Sequence, residues 1–312
     1  MVRKWLLSAM FAVVLAGLLL HAANAETVSS MQPVRVKVGV WLVNVERVDL
    51  STNSYRLDFY LWFNFSSSQI SLDEVRNFEF INGAPTKYEV YANETEGYLE
   101  YRVRGDFITT FDFTQYPFDS HQLKVELEHK NLDASKLVYK VDPASNIEPT
   151  ANVAGWDIGG FQTAVKEHSY GEDIYSRFVF TVSLTRPMLS AFIKSVLPIS
   201  VITVISLLAF LIAPQNFSQR ITLGVTTLLS ATTFHLSLLS GIPPTGYLTL
   251  ADRMMLSVYT IFLYNLSASV YIMHLVDSKK TEEAERVKGK ALKMLPVLVI
   301  ALVFIQVVLS VV

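Results

Sequence analysis

Past Arg186 and Pro187 the chain is dominated by four apolar stretches, at 188–212, 221–242, 254–276 and 291–312. An α-helix needs roughly 20 residues to cross the hydrocarbon core of a bilayer, and each stretch is long enough. Lipid supplies no hydrogen-bond partners, so backbone at that depth has to close its bonds within a helix or a barrel. Residues 188–312 are therefore expected to form a four-helix transmembrane domain. The connections "IAPQNFSQ" and "GIPPTGYLTLA" are short, which sets neighbouring helices antiparallel. With 51% hydrophobic residues over 312 positions, the chain is too apolar for one soluble domain and too charged to be membrane throughout.

Residues 26–187 carry a different period. "YRLDFYLWFNF" at 55–65 sets Tyr55, Leu57, Phe59, Leu61 and Phe63 on one face and Arg56, Asp58, Tyr60, Trp62 and Asn64 on the other. A period of two marks a half-buried strand. The same alternation runs through 34–43, 98–104, 123–129 and 177–184. The expected fold class is β + α, an N-terminal extracellular β-sandwich over 26–187 followed by the four-helix transmembrane domain. One turn is unusual. "DFTQYPFDSHQL" at 112–123 uses aromatics and a proline where turns facing water use Gly, Asn or Ser, so it is built to press against something. The aromatic before Pro117 favours a cis bond.

Arg3 and Lys4, an apolar run and the small-residue site Ala23-Asn24-Ala25 predict a signal peptide over 1–25. Export would place the sandwich outside, the connection at 277–290 inside and the C-terminus outside, in a multi-pass protein of the cell membrane. The basic residues agree: Lys279, Lys280, Arg286, Lys288, Lys290 and Lys293 cluster in or beside the inner connection, and residues 241–251 hold no Lys or Arg. There is no cysteine, which excludes disulfides, thiolate metal sites and cysteine nucleophiles. Residues 26–187 hold 15 Lys/Arg against 23 Asp/Glu, a net of −8, which attracts cations and repels nucleic acid. Neither G-x-S-x-G nor H-E-x-x-H occurs, so no enzyme activity, cofactor or metal is expected.

The second span differs from the others. Stepping by four and three along "RITLGVTTLLSATTFHLSLLSGI" puts Thr222, Thr226, Leu229, Thr233, Leu236 and Ser240 on one slowly drifting stripe. One reading has these hydroxyls bonding their own backbone or neighbouring helices. The other is a water-lined path that Leu229 and Leu236 close by dewetting. A single helix encloses nothing, so a path requires several copies around an axis. His235 lies just off the stripe, either as a functional ionisable group or as a neutral ring bonded to a neighbouring helix. Lys194 is expected to snorkel.

Together these features resemble the pentameric ligand-gated ion channels, the Cys-loop receptor family in its bacterial form. The most specific piece is "YPFD" at 116–119, which matches the core of the family's signature loop. Where animal receptors bracket that loop with cysteines this chain has Thr109 and Leu123, as bacterial members similarly lack the disulfide. "GWDIGGF" at 155–161, Arg186, Pro198, "RITLGVTTLLSATTF" and "GIPPTGY" match as well, and the short inner connection looks bacterial.

The resemblance implies a homopentamer in the bilayer, opened by an unknown small-molecule agonist or by protons, that passes ions along the second span. It implies that Asp119 pairs with Arg186 and that Asp49 in the first hairpin shares this cation, either as a moving coupling or as a static ion pair. It implies that Tyr116, Pro117 and Phe118 rest on the outer loop with Pro243, Pro244 and Tyr247. Cation-selective members carry Glu, and anion-selective members Pro-Ala, before the basic residue that opens the pore helix. Here Ser218 and Gln219 precede Arg220 and fit neither, so the preference for cations rests on the −8 outer domain, −40 over five copies. An anion-selective or poorly selective channel and a non-conducting sensor are the alternatives. "EHSYGEDIYSRF" matches the family's capping loop, which makes Tyr170 and Tyr175 candidate agonist contacts or plain loop aromatics. The tryptophans of the other two binding loops are missing from "INGAPTKYEV" and "KNLDASKLVYK". Glu167, His168, Glu172 and Asp173 in that loop take a divalent ion or protons, or form a solvated acidic edge.

Overall fold

The computed structural model describes residues 32–311, so the expected signal peptide at 1–25 lies outside the described residues. Among the described residues, ten strands form two sheets. The first has the order β4-β5-β2-β1-β7, with β8 also on β1; the second has the order β3-β6-β10-β9. The strands are β1 (Val34–Asp49), β2 (Ser54–Asn64), β3 (Phe78–Phe80), β4 (Gly83–Asn93), β5 (Tyr98–Ile108), β6 (Ser120–His129), β7 (Leu137–Val141), β8 (Asn146–Ile147), β9 (Asp157–Tyr170) and β10 (Asp173–Thr185). A single helical turn, α1 (Leu72–Val75), links β2 to β3.

The alternating residues do what their period requires. Tyr55, Leu57, Phe59, Leu61 and Phe63 are all 0% exposed and face Phe178, Phe180 and Val182 of the opposite sheet across one core. Phe59 meets Phe180 edge-on at 5.2 Å, a favoured aromatic geometry. Every strand expected from the alternation is present. β4 and β9 are additions: β4 is mostly exposed and is held mainly by backbone pairing to β5, whereas β9 pairs with β10 and lays Ile158, Phe161 and Val165 against the core.

Four long apolar helices follow: α2 (Met188–Leu211), α3 (Phe217–Leu239), α4 (Leu250–Asp277) and α5 (Thr281–Val311). In α2 the turn Phe192–Val196 is a π-helix just ahead of Pro198. Proline lacks an N–H and crowds the carbonyl four residues back, and the wide turn relieves that conflict. The helix limits correct the hydropathy reading in three places. α3 starts at Phe217 rather than 221, because polar residues extend it into the headgroup zone, and it ends at Leu239 before Gly241 and Pro243. α4 starts at Leu250 rather than 254, where Thr249 and Asp252 form a capping box. The expected inner loop at 277–290 shrinks to Ser278, Lys279 and Lys280, with Lys279 in the left-handed region at φ 58°. Residues from Thr281 onward are charged but strongly helix-forming, so α5 begins in water and enters the membrane later. Inside the bundle the Asn265 amide donates to the Ser206 carbonyl at 2.7 Å and tethers α4 to α2.

Candidate functional site

The loop between β5 and β6 caps two membrane helices. The first N–H groups of a helix and its last carbonyls have no partner inside the helix. Here Leu250 and Ala251 at the start of α4 donate to the carbonyls of Thr114 and Tyr116, each at 2.9 Å. The Tyr116 hydroxyl donates to the Leu238 carbonyl at the end of α3 at 2.8 Å. The Phe113 N–H donates to the Tyr247 hydroxyl at 2.9 Å, and that hydroxyl in turn faces Asp112 at 3.4 Å. Phe111, Phe113 and Tyr116 belong to the sandwich core, and Ile242 and Ala251 of the membrane domain join the same cluster. The Tyr116–Pro117 bond is cis, with Pro117 buried and Phe118 half-buried. Knuckle and helix ends are thus one hydrogen-bonded unit.

Asp119 follows the knuckle and is 1% exposed at its side chain. Arg186 donates from Nε to Oδ1 at 2.7 Å and from a terminal nitrogen to Oδ2 at 3.3 Å. His121 lies 2.6 Å from Oδ2. Burial alone pushes the Asp119 carboxyl up, but the bonds from His121 and Arg186 outweigh it and hold the group at about 2. The guanidinium also stacks on Trp156 at 4.3 Å and on Tyr116 at 5.4 Å from the ring centres. Arg186 therefore sits between a carboxylate and two aromatic faces where sandwich meets membrane.

Asp49 does not share that cation. Its carboxylate accepts from the Ser51 hydroxyl at 2.6 Å and from the N–H groups of Ser51 and Thr52, which lower its pKa. The hairpin turn uses the acceptor for itself, and Asp119 is the ion-pair partner recorded for Arg186 among the described residues. Of the outer-loop residues Tyr247 meets the loop at Phe113 and Asp112, ahead of the expected 116–118 knuckle, whereas Pro243 is half-buried and Pro244 exposed. A cavity of about 340 Å³ lies at the junction, lined by Tyr116, Pro117, Arg186, Lys194, Phe234 and Gly241 among others.

The stripe on α3 points away from its own bundle. Thr222, Thr226, Leu229, Thr233, Leu236 and Ser240 are all exposed, Leu229 at 67% and Leu236 at 69%. The opposite face carries Arg220, Gly224, Thr227 and Ala231, which are buried. The Thr233 and Ser240 hydroxyls bond back to the carbonyls of Leu229 and Ser237, as the blander reading of the stripe holds for those two. Ser218 and Gln219 are exposed, but Arg220 is not a mouth residue in this chain: it is 1% exposed and turned toward Phe210. Its position four residues before Gly224 places it on the packed face. His235 bonds the neighbouring helix α4 through Tyr259 at 3.0 Å and Asp252 at 3.1 Å.

At the far end of the second sheet Tyr170 and Tyr175 meet edge-on at 5.8 Å, with His168 4.6 Å from Tyr170. The Tyr170 hydroxyl accepts from Arg177 at 2.9 Å and lies 3.2 Å from Glu128, while Arg177 also binds Glu126 and Glu128. The two tyrosines are thus brought together and held from below by an ion-pair network. Sequence reasoning missed Glu126, Glu128, Arg177, His121 and Trp156; for the last two the signals were a histidine two residues after Asp119 and the tryptophan of "GWDIGGF". Among the described residues no three His, Asp or Glu side chains converge as a metal site.

Residues 195–302 match the family described as the neurotransmitter-gated ion-channel transmembrane region. The chain is similar to a proton-gated ion channel of Gloeobacter violaceus, 24% identical over 269 residues, covering 78% of this chain and 74% of that protein. It is similar to a gamma-aminobutyric acid receptor subunit beta-like of Drosophila melanogaster, 28% identical over 163 residues, half of this chain and 32% of the relative. The pH-sensitive chloride channel 2 of the same fly is 28% identical over 174 residues, 52% of this chain and 33% of the relative. The chain thus spans about three quarters of the first relative and a third of each insect protein. A β-sandwich gripping a bundle of four helices apolar enough to cross a membrane, a transmembrane region at 195–302 that matches the neurotransmitter-gated ion-channel family directly, and relatives named as ion channels or receptor subunits make this chain a multi-pass membrane protein that is similar to the ligand-gated ion channels.

Proposed function

We propose that five copies assemble around α3 into a channel of the cell membrane, with sandwich and C-terminus outside, that an external agonist or protons open and that prefers cations. The observation that carries this reading is the exposed stripe of α3. A membrane span that turns hydroxyls and two leucines away from its own bundle has either lipid or a shared pore to face, and lipid offers threonine nothing. The −8 charge of residues 26–187 supports cations, because five copies concentrate that field at the entrance. The name of the first relative, a proton-gated ion channel, supports protons as the trigger. Ser218 and Gln219, exposed at the inner end of α3, would then frame the mouth with neutral dipoles, and Tyr170 with Tyr175 would form the principal face for an agonist.

The deciding measurement is the reversal potential of the reconstituted protein in asymmetric KCl during a drop in pH. Current that reverses toward the potassium potential is expected. A silent bilayer across every pH and ligand tried, with pentamers intact by mass, overturns the reading.

A further inference from the structure

His121 is buried at the domain boundary and its chemistry is so far unused. Its side chain is 1% exposed. It bonds Asp119 Oδ2 at 2.6 Å, while Arg186 holds Oδ1 of the same carboxylate at 2.7 Å. Both also share Trp156, the imidazole edge-on at 5.3 Å and the guanidinium over the face at 4.3 Å. Phe111 and Phe113 pack on the imidazole at 4.7 and 5.6 Å. The titratable and charged groups around it are Asp119, Arg186, the Asp112 carboxylate, which feels the charge of His121, and the Tyr116 phenol, which feels Asp119 and Arg186; Leu184 is its cross-strand neighbour on β10.

We propose that His121 is a proton-binding site that acts on the Asp119–Arg186 pair. The consequence for current rests on the channel reading above; the proton site itself does not. A carboxylate only accepts, so the neutral ring carries its hydrogen on Nε2 and an incoming proton from water adds at Nδ1. That proton puts two cations on one carboxylate and one indole, away from water. Arg186 thus opposes protonation where it stands. In any arrangement with Arg186 withdrawn, the imidazolium has Asp119 to itself and binds its proton more tightly. A ligand drives an equilibrium toward the state that binds it better, so acid favours release of Arg186 from Asp119. With Arg186 in place the Asp119 carboxyl is held low by the bonds from His121 and Arg186, and after its release the imidazolium remains to favour the ionised form.

His121→Gln keeps an N–H for Asp119 and takes no proton, which isolates the effect. Tryptophan fluorescence of the full-length protein is followed from about pH 8 to 5, because imidazolium quenches an adjacent indole more than imidazole does. The wild type is expected to show a step that His121→Gln lacks, and Arg186→Gln is expected to move that step to higher pH. Superimposable curves for wild type and His121→Gln overturn the proton site, and a step unmoved in Arg186→Gln overturns its action on the pair. In bilayers the current of His121→Gln should lose its response to pH, while a response equal to the wild type, with the optical step gone, refutes the link to gating. Absence of current from every variant counts against the channel reading and leaves the fluorescence comparison to decide the site.

Discussion

Arg186 is held by geometry that only a guanidinium provides: two donors on Asp119 and a flat face on Trp156. Arg186→Lys keeps the charge but loses the fork and the stacking, so it should lower the melting temperature. Arg186→Ala should cost more, about 3 kcal/mol, because it leaves a buried carboxylate with His121 as its remaining partner. Thermal unfolding of both variants checks the order. Asp119 sets a pH dependence of its own. Its folded pKa of about 2 lies below the ordinary carboxylate value, so ionisation of Asp119 itself contributes stability that is present above about pH 4 and is lost as the pH falls toward 2. Asp119→Asn should flatten acid unfolding over that window, and an unchanged acid limb would remove the pair from the account.

At the scale of elements, the knuckle and the ends of α3 and α4 behave as one joint. Tyr247→Phe removes the acceptor for the Phe113 N–H and the contact to Asp112, so it should loosen the joint by about 1 kcal/mol and shift the opening response. Dose–response curves of current for wild type and variant report it. On α3, Leu229 is exposed on the stripe, and replacing it with alanine widens and wets any constriction it forms. Leu229→Ala is expected to raise resting current or open at a weaker stimulus. Thr227→Val tests the opposite face: its hydroxyl bonds back to Leu223 and Gly224, so conduction should be unaffected.

For the whole molecule, orientation and assembly are the quantities to test. The chain has no cysteine, so single cysteines can be introduced without background. Glu172→Cys on the capping loop should react with a membrane-impermeant maleimide on intact cells. Lys280→Cys, at the connection between α4 and α5, should react after permeabilisation alone. Reversed labelling would invert the orientation. Many large apolar side chains of the helices are exposed in the single chain, including Val204, Ile300 and Phe304, as expected where lipid or other copies complete the packing.

Two periods in the sequence were enough to separate sheet from membrane helices, because each reports local burial: every second residue of β2 faces the core, and each span is apolar for the length of a bilayer. The stripe on α3 was legible for the same reason, and "YPFD" located the knuckle. β4 was not legible, since a mostly exposed strand held by backbone pairing shows no buried face, and β9 was not, since Gly159, Gly160 and a register shift interrupt the spacing of Ile158, Phe161 and Val165. Arg220 was misplaced and Asp49 was assigned a distant cation because hydropathy and motif position do not say which way a side chain turns or what its own hairpin offers it. The junction was decided by tertiary structure alone. Arg186 and Asp119 are 67 positions apart in sequence, and Trp156 comes to them from the start of β9. Local pattern determines which elements form, but the docking of one sheet's end onto two helix termini determines which charges share a carboxylate, and no local period encodes that distance.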